Sequence, residues 1–72
     1  MSFEYNKLRG RIREKFVTQS NFANALEMAQ TTLSFKLNNK VSWTQQEINK
    51  ACKLLDIEDS DVTTYFFTEK VQ

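Results

Sequence analysis

The chain has 72 residues, which predicts one small domain and excludes a second. Hydrophobic residues make up 40% of the sequence and charged residues 26%, so the composition is that of a folded globular protein. Ten basic and nine acidic residues leave a net charge of +1, which is small for a nucleic-acid-binding domain. With no proline and one glycine, the chain has few residues suited to hairpin turns, and we expect an all-α fold, a compact bundle of four or five short helices.

The residue counts also exclude several kinds of chemistry. There is no histidine, and the one cysteine, Cys52, has no partner for a disulfide, a zinc site or a nucleophilic pair. We therefore expect no enzyme activity, no metal, no other cofactor and no small-molecule substrate. No apolar stretch is long enough to cross a membrane, and the N-terminus does not resemble a signal peptide, so we expect a cytoplasmic protein without membrane contact.

The first predicted helix has one apolar stripe. The stripe spans an arc of about 80° on a helical wheel and is formed by Tyr5, Leu8, Ile12 and Phe16. The other faces of this helix carry basic residues, namely Lys7, Arg9, Arg11, Arg13 and Lys15. Such residues either form a solvated surface or contact the phosphates of a nucleic acid, and the pattern alone does not decide between the two.

A second and a third short helix follow, with a tight turn between them. Thr18 is a suitable N-cap for a helix over residues 19–26. A break over residues 27–29 leads to a third helix over residues 30–38. The residues expected to face inward from these two helices are Phe22, Ala23, Leu26, Leu33 and Leu37.

The fourth predicted helix has the strongest local signal at its start. Thr44 followed by Glu47 forms a capping box, and Trp43 and Ile48 occupy the two positions of a hydrophobic staple. The inner stripe of this helix is formed by Ile48, Ala51, Cys52 and Leu55. Cys52 is therefore expected to be a small core residue rather than a reactive thiol.

An acidic segment over residues 58–61 predicts the start of a short last helix, because carboxylates suit the positive N-terminus of a helix. Val62 and Phe66 lie four residues apart and so share one face of that helix. We expect a single domain over residues 1–67 and a flexible C-terminal tail over residues 68–72.

The second and third predicted helices resemble a known motif. The segment QSNFANALEM at 19–28, followed by TLSFKLN at 32–38, resembles the helix-turn-helix of the Cro/repressor family. The continuation over residues 37–48 and the ending YFF at 65–67 are similar to a group of small regulators from temperate phages of Gram-positive bacteria, the antirepressors that act together with the phage repressor. The resemblance covers nearly the whole chain.

This resemblance implies a regulator of the phage genetic switch that acts in the host cytoplasm. It implies an antirepressor that binds the N-terminal DNA-binding domain of the phage repressor and blocks or modifies operator binding, which favours the lytic cycle. One residue departs from the motif, since Glu27 occupies a turn position where glycine is usual. A non-glycine residue in a left-handed conformation costs about 1–2 kcal/mol, so the turn either takes this cost or is reshaped.

The resemblance places the contact surface on the third helix and the turn before it. The candidate partner-binding residues are Met28, Gln30, Thr31, Thr32, Ser34, Phe35 and Lys36. On a helical wheel, Phe35 points directly away from Leu33 and Leu37, and Lys36 is the one charged residue beside it. A phenylalanine side chain cannot form a hydrogen bond with a base edge and has no charge to pair with a phosphate. It therefore suits a pocket in a protein better than a DNA groove.

The alternative function is a Cro-like repressor that binds operator DNA directly and sequence-specifically as a homodimer. Base contacts would then come from polar residues of the third helix. Phosphate contacts would come from four basic residues, Arg9, Arg11, Arg13 and Lys40. The two functions can also coexist, with operator DNA contacted alone or through the repressor complex.

Overall fold

A computed structural model describes residues 2–70 of the chain. Over this range the backbone forms five α-helices and one 3₁₀ turn, and its only β-type pairing is a single antiparallel bridge, which confirms the predicted all-α bundle. The helices are α1 (Asn6–Phe16), α2 (Gln19–Ala25), α3 (Gln30–Leu37), α4 (Gln45–Leu55) and α5 (Val62–Phe66), and the 3₁₀ turn (Asp59–Asp61) leads into α5. No helix within the described range is long and apolar enough to cross a membrane.

All five helices contribute to one hydrophobic core. Its buried members are Tyr5, Leu8, Ile12, Phe22, Ala23, Leu26, Leu33, Leu37, Ala51, Cys52, Leu55, Ile57 and Phe66. Most of the predicted inward residues are in this set, because their spacing places them on one face of each helix. Two of them are only half-buried: Phe16, whose ring centroid lies 5.2 Å from that of Phe22, and Ile48. Cys52 is buried, which confirms it as a core residue, and burial together with the charge of Asp59 raises the pKa of its thiol.

Side-chain caps start α2 and α4 as predicted. Thr18 Oγ1 accepts a hydrogen bond from the Asn21 N–H at 3.1 Å. Thr44 Oγ1 accepts one from the Glu47 N–H at 3.2 Å, and the Thr44 N–H donates to Glu47 Oε1 at 2.9 Å, which completes the capping box. Each cap satisfies backbone donors that the first turn of a helix leaves unpaired.

Left-handed residues follow each of the first four helices, and none of them is glycine. They are Val17 (φ 72°), Glu27 (φ 59°), Asn39 (φ 64°) and Asp56 (φ 55°). Asparagine and aspartate tolerate this conformation, whereas the β-branched Val17 is strained in it. Glu27 therefore keeps the left-handed turn after α2 at a cost of about 1–2 kcal/mol, and the turn is not reshaped.

The two ends of the described chain are paired with each other. Phe3 forms an antiparallel bridge with Glu69, flanked by hydrogen bonds from the Glu4 N–H to the Thr68 carbonyl at 2.7 Å and from the Lys70 N–H to the Ser2 carbonyl at 3.1 Å. The predicted flexible tail thus begins in this pairing, with residues 68–70 against the N-terminal segment. Residues 71 and 72 lie outside the described residues, and the flexibility of the tail stays a prediction.

Candidate protein-interaction surface

Helix α3 is positioned by α2 and by the turn between the two helices. Ala23 is only 1% exposed, and its small side chain lets the two helices approach closely. The Met28 N–H donates to the Ala23 carbonyl at 2.9 Å, and the Glu27 N–H donates to the Asn24 carbonyl at 3.0 Å. The N-cap position of α3 is Ala29, which makes no side-chain cap. The start of α3 is therefore fixed by the turn rather than by a side chain of its own.

The outward face of α3 is uncharged. Gln30, Thr31 and Phe35 are exposed, with 44% of Phe35 accessible to solvent. Thr32 and Ser34 are half-buried beside them. Met28, in the turn, is half-buried and packs against the core. Six of the seven predicted contact residues are thus exposed or half-buried on or beside α3.

Lys36 does not lie on this face, which corrects the expectation from the helical wheel. Lys36 is buried, with only 3% of its surface exposed. Its Nζ atom forms an ion pair with Glu47 Oε1 at 2.8 Å and donates a hydrogen bond to the Ser42 carbonyl at 2.8 Å. A residue one position after Phe35 is turned by about 100° around the helix, and a flexible lysine stem then brings the ammonium to α4. The sequence contained Glu47 as a capping residue but no sign that Lys36 would reach it.

The Glu47 carboxylate joins α3 to the start of α4. Burial opposes its ionisation, but the hydrogen bonds from Lys36 and from the Thr44 N–H, with the Lys36 charge, outweigh burial and lower the pKa of Glu47 below its ordinary value. One oxygen, Oε1, accepts from both Lys36 and Thr44. The same carboxylate therefore caps α4 and anchors α3.

The four predicted phosphate contacts fall into two groups. Arg9 Nη2 donates to the Leu37 carbonyl at 3.1 Å and to Asn38 Oδ1 at 2.9 Å, so it caps the end of α3. Arg11 Nε donates to the Leu55 carbonyl at 2.8 Å, so it caps the end of α4. Arg13 and Lys40 are exposed, and the Lys40 Nζ lies 6.0 Å from the centroid of the Phe35 ring. The structure gives Arg9 and Arg11 a stabilising role that the sequence did not reveal.

An open apolar cavity lies next to α3, and sequence reasoning missed it. Its volume is about 240 Å³. Its apolar walls are formed by Phe3, Val41, Trp43, Ile48, Phe66 and Phe67. Two of these residues are unusually exposed for their size, Val41 at 42% and Phe67 at 45%. We call these six residues the aromatic groove.

Residues 1–69 match a family described as "Protein of unknown function (DUF739)". The chain belongs to this family. The matched range contains all five helices and the bridge between Phe3 and Glu69, so the family covers the whole fold described above. None of the curated proteins matches the chain.

The chain is also similar to a solved structure whose function is stated in its name. The solution structure of the modulator of repression (MOR) of the temperate bacteriophage TP901-1 from Lactococcus lactis is 46% identical in sequence to this member of the family. The similarity covers 100% of this chain and 97% of that chain, with a TM-score of 0.83. The likeness to regulators of temperate phages is therefore confirmed, while kinship with the Cro/repressor family stays a prediction.

Proposed function

We propose that this protein is an antirepressor of a temperate phage. It binds the N-terminal DNA-binding domain of the phage repressor in the host cytoplasm and blocks or modifies operator binding, which favours the lytic cycle. The support is the likeness, over the full chain, to a protein whose name is modulator of repression. Such a regulator acts by binding, and it requires no catalytic group.

We also infer that α2, the turn and α3 form a helix-turn-helix of the Cro/repressor kind. Three observations support this inference: the Thr18 cap on α2, the buried Ala23 where the helices cross, and the left-handed residue at Glu27. In such motifs the second helix presents the contact residues. The partner surface would then be the outward face of α3.

The observation that carries the choice of partner is the outward face of α3, which exposes Phe35 and no charged residue of its own, with Lys40 of the following loop beside the ring. With Lys36 buried and paired, no charged residue of α3 is left on that face. DNA binding depends on cations that neutralise phosphates, whereas protein interfaces are often centred on a large aromatic side chain. A protein pocket is therefore the better complement to this surface.

Direct operator binding is the competing function, and two exposed basic residues, Arg13 and Lys40, favour it. Arg9 and Arg11 already bind carbonyl groups at the ends of α3 and α4, which leaves fewer free donors for phosphates. Few phosphate contacts give weak and salt-sensitive binding to DNA. We expect this protein alone to bind operator DNA weakly.

The experiment is a calorimetric titration of the cognate repressor's DNA-binding domain with the parent protein, Phe35→Ala and Arg13→Ala. Both side chains are exposed, so circular dichroism should show parent-like folding for both variants. Truncating an interface anchor costs about 2 kcal/mol or more, so Phe35→Ala should weaken binding about thirtyfold. Arg13→Ala should change the affinity for repressor less than about fivefold, since an exposed cation contributes about 1 kcal/mol or less.

The reverse order would contradict the proposal. If Phe35→Ala binds the repressor domain like the parent, α3 is not the contact surface. If the parent binds operator DNA tightly and specifically at physiological salt without repressor, and Arg13→Ala weakens that binding for all sequences, the Cro-like function is correct.

A further inference from the structure

Exposed apolar residues lie both on the outward face of α3 and in the aromatic groove. Among the described residues, four large hydrophobic ones are markedly exposed, and two of them, Val41 and Phe67, line the groove. A third, Phe35, has its ring centroid 6.0 Å from the Nζ of Lys40, which also lines the groove. The Val41 N–H donates to the Phe35 carbonyl at 3.4 Å, so the loop that forms one wall of the groove is held against the end of α3. Contiguous exposed apolar surface on a small protein marks an interaction site more often than scattered single residues do.

The groove is held open by aromatic packing and hydrogen bonds. The Trp43 and Phe66 rings meet edge to face at 5.1 Å, and the Phe3 and Phe67 rings do so at 5.7 Å. The Asn39 side chain accepts from the Phe3 N–H and donates to the Phe3 carbonyl, both at 2.8 Å. A preformed pocket of this kind requires little ordering when a partner binds.

The charge at the groove specifies the chemistry of its occupant. Among the described residues that line the cavity, Lys40 is the only charged one, and it is exposed. Its ammonium lies 6.0 Å from the centroid of the Phe35 ring. An apolar side chain with a carboxylate beside it would therefore complement both the walls and the rim.

We propose that the aromatic groove is a second contact site for the repressor's DNA-binding domain. An apolar side chain of the repressor inserts between Val41 and Phe67, and a neighbouring carboxylate pairs with Lys40. This inference rests on the proposed function, and it extends the interface beyond α3 onto the loop before α4 and the end of α5.

The test is a titration of the repressor's DNA-binding domain with Val41→Asp and, as a matched control, Val17→Asp. Val17 is the other strongly exposed valine at 72%, and it borders a different cavity, beside Arg13 and Gln19. A carboxylate at Val41 would enter the apolar contact and face the partner's carboxylate, so we expect a loss of about thirtyfold or more. Val17→Asp should bind within about threefold of the parent.

A charge reversal at the rim provides a second readout that does not depend on the first. Lys40→Glu should lower the affinity about tenfold in low salt, and the loss should shrink as salt is raised, because the pair lies at the exposed rim. Lys53→Glu is the control, since Lys53 is an exposed lysine of α4 that lines another cavity. Circular dichroism and thermal melting of all four variants establish that each is folded.

The outcomes separate this inference from the proposed function. If Phe35→Ala weakens binding while Val41→Asp loses no more than Val17→Asp, the groove is not a contact site and the proposed function stands. A parent protein that does not bind the repressor domain overturns both. Losses at Val41 and Lys40 that exceed those of their controls support the second contact site.

Discussion

Helices α3 and α4 are joined by the Lys36–Glu47 ion pair in one small domain, but their starts are held differently. Helix α4 begins at a capping box made by its own residues, and the carbonyl of its last residue, Leu55, is capped by Arg11 of α1. Helix α3 has no side-chain cap at Ala29, and its end is capped by Arg9, a residue of α1. Its one cation, Lys36, is held by Glu47 of α4.

The difference agrees with the contact role proposed for α3. The start of a helix can be specified by its own sequence through a cap, as in α4. In α3, the outward face carries no charged residue of that helix, and the start has no side-chain cap of its own. Arg9 of α1 and Glu47 of α4 hold α3 in place, so the proposed contact surface depends on residues far from it in sequence.

The largest expected effect on stability is the difference between replacing an inward and an outward residue of α3. Leu33 is fully buried, and its replacement by alanine should cost about 2–5 kcal/mol. That is comparable to the total stability of a domain of this size, about 3–5 kcal/mol, so Leu33→Ala should be largely unfolded. Phe35→Ala should unfold in urea close to the parent midpoint. A Leu33→Ala variant with the parent's midpoint would show that α3 does not contribute to the core.

Removing the shared carboxylate should affect both helices. Glu47→Ala leaves the buried Lys36 without its ion-pair partner and deletes half of the capping box. Because Glu47 is partly exposed, water can replace some of the interaction, and we expect a loss of about 2–3 kcal/mol in urea unfolding. Lys36→Met should cost less, because the carboxylate left behind can be hydrated. A smaller loss for Glu47→Ala than for Lys36→Met would contradict the buried pair.

The same carboxylate should make stability depend on pH in the acid range. Folding lowers the pKa of Glu47, so its contribution is fully present above the unfolded value of about 4.3 and is lost as the pH falls through the lower folded pKa. The stability difference between the parent and Glu47→Gln should therefore shrink when the pH is lowered from about 6 to about 3. A difference that stays constant over this range would mean that charge contributes nothing.

The end of α3 offers a smaller test of support from a neighbouring helix. Arg9→Ala removes two hydrogen bonds to the end of α3 and should cost about 1–2 kcal/mol. Arg13→Ala is the matched control on the same helix and should change stability by less than about 0.5 kcal/mol. The stability of both variants is measured by thermal unfolding. Equal losses of stability for Arg9→Ala and Arg13→Ala would contradict the capping role assigned to Arg9.

The smallest effects concern the two helix starts and should have opposite signs. Thr44→Ala deletes the cap of α4 and should destabilise the protein by about 1 kcal/mol. Ala29 is exposed and has the extended backbone of an N-cap, so Ala29→Ser should add a cap to α3 and stabilise it by about 0.5–1 kcal/mol. If Ala29→Ser is neutral or destabilising, the start of α3 is already satisfied by the turn.

The parts of the fold that the sequence predicted are those encoded by residues close together in the chain. The caps at Thr18 and Thr44 each join residues three positions apart, and the inner stripe of α4 repeats within one helix. The hydrogen bonds from Arg9 to Leu37 and from Arg11 to Leu55 span 28 and 44 positions. No local pattern predicts such contacts, so nothing in the sequence indicated that Arg9 and Arg11, phosphate contacts in the DNA-binding alternative, would cap two helices.

The candidate site shows the same division. The exposure of Phe35 follows from helical periodicity and was predicted, whereas the burial of Lys36 depends on where α4 lies. The groove could not be predicted, because it brings together Phe3, Trp43 and Phe67 from both ends and the middle of the chain. The pairing of the termini is what places Phe3 against Phe67.

The most direct test of the central claim is competition with DNA. Labelled operator DNA is bound by the cognate repressor at physiological salt, and the anisotropy is followed as the protein is added. We predict that the parent protein releases the operator and that Phe35→Ala needs about thirtyfold more protein for the same release, whereas Arg13→Ala behaves like the parent. Operator occupancy that is unaffected by saturating parent protein, or equal release by Phe35→Ala, would contradict an antirepressor that acts through the outward face of α3.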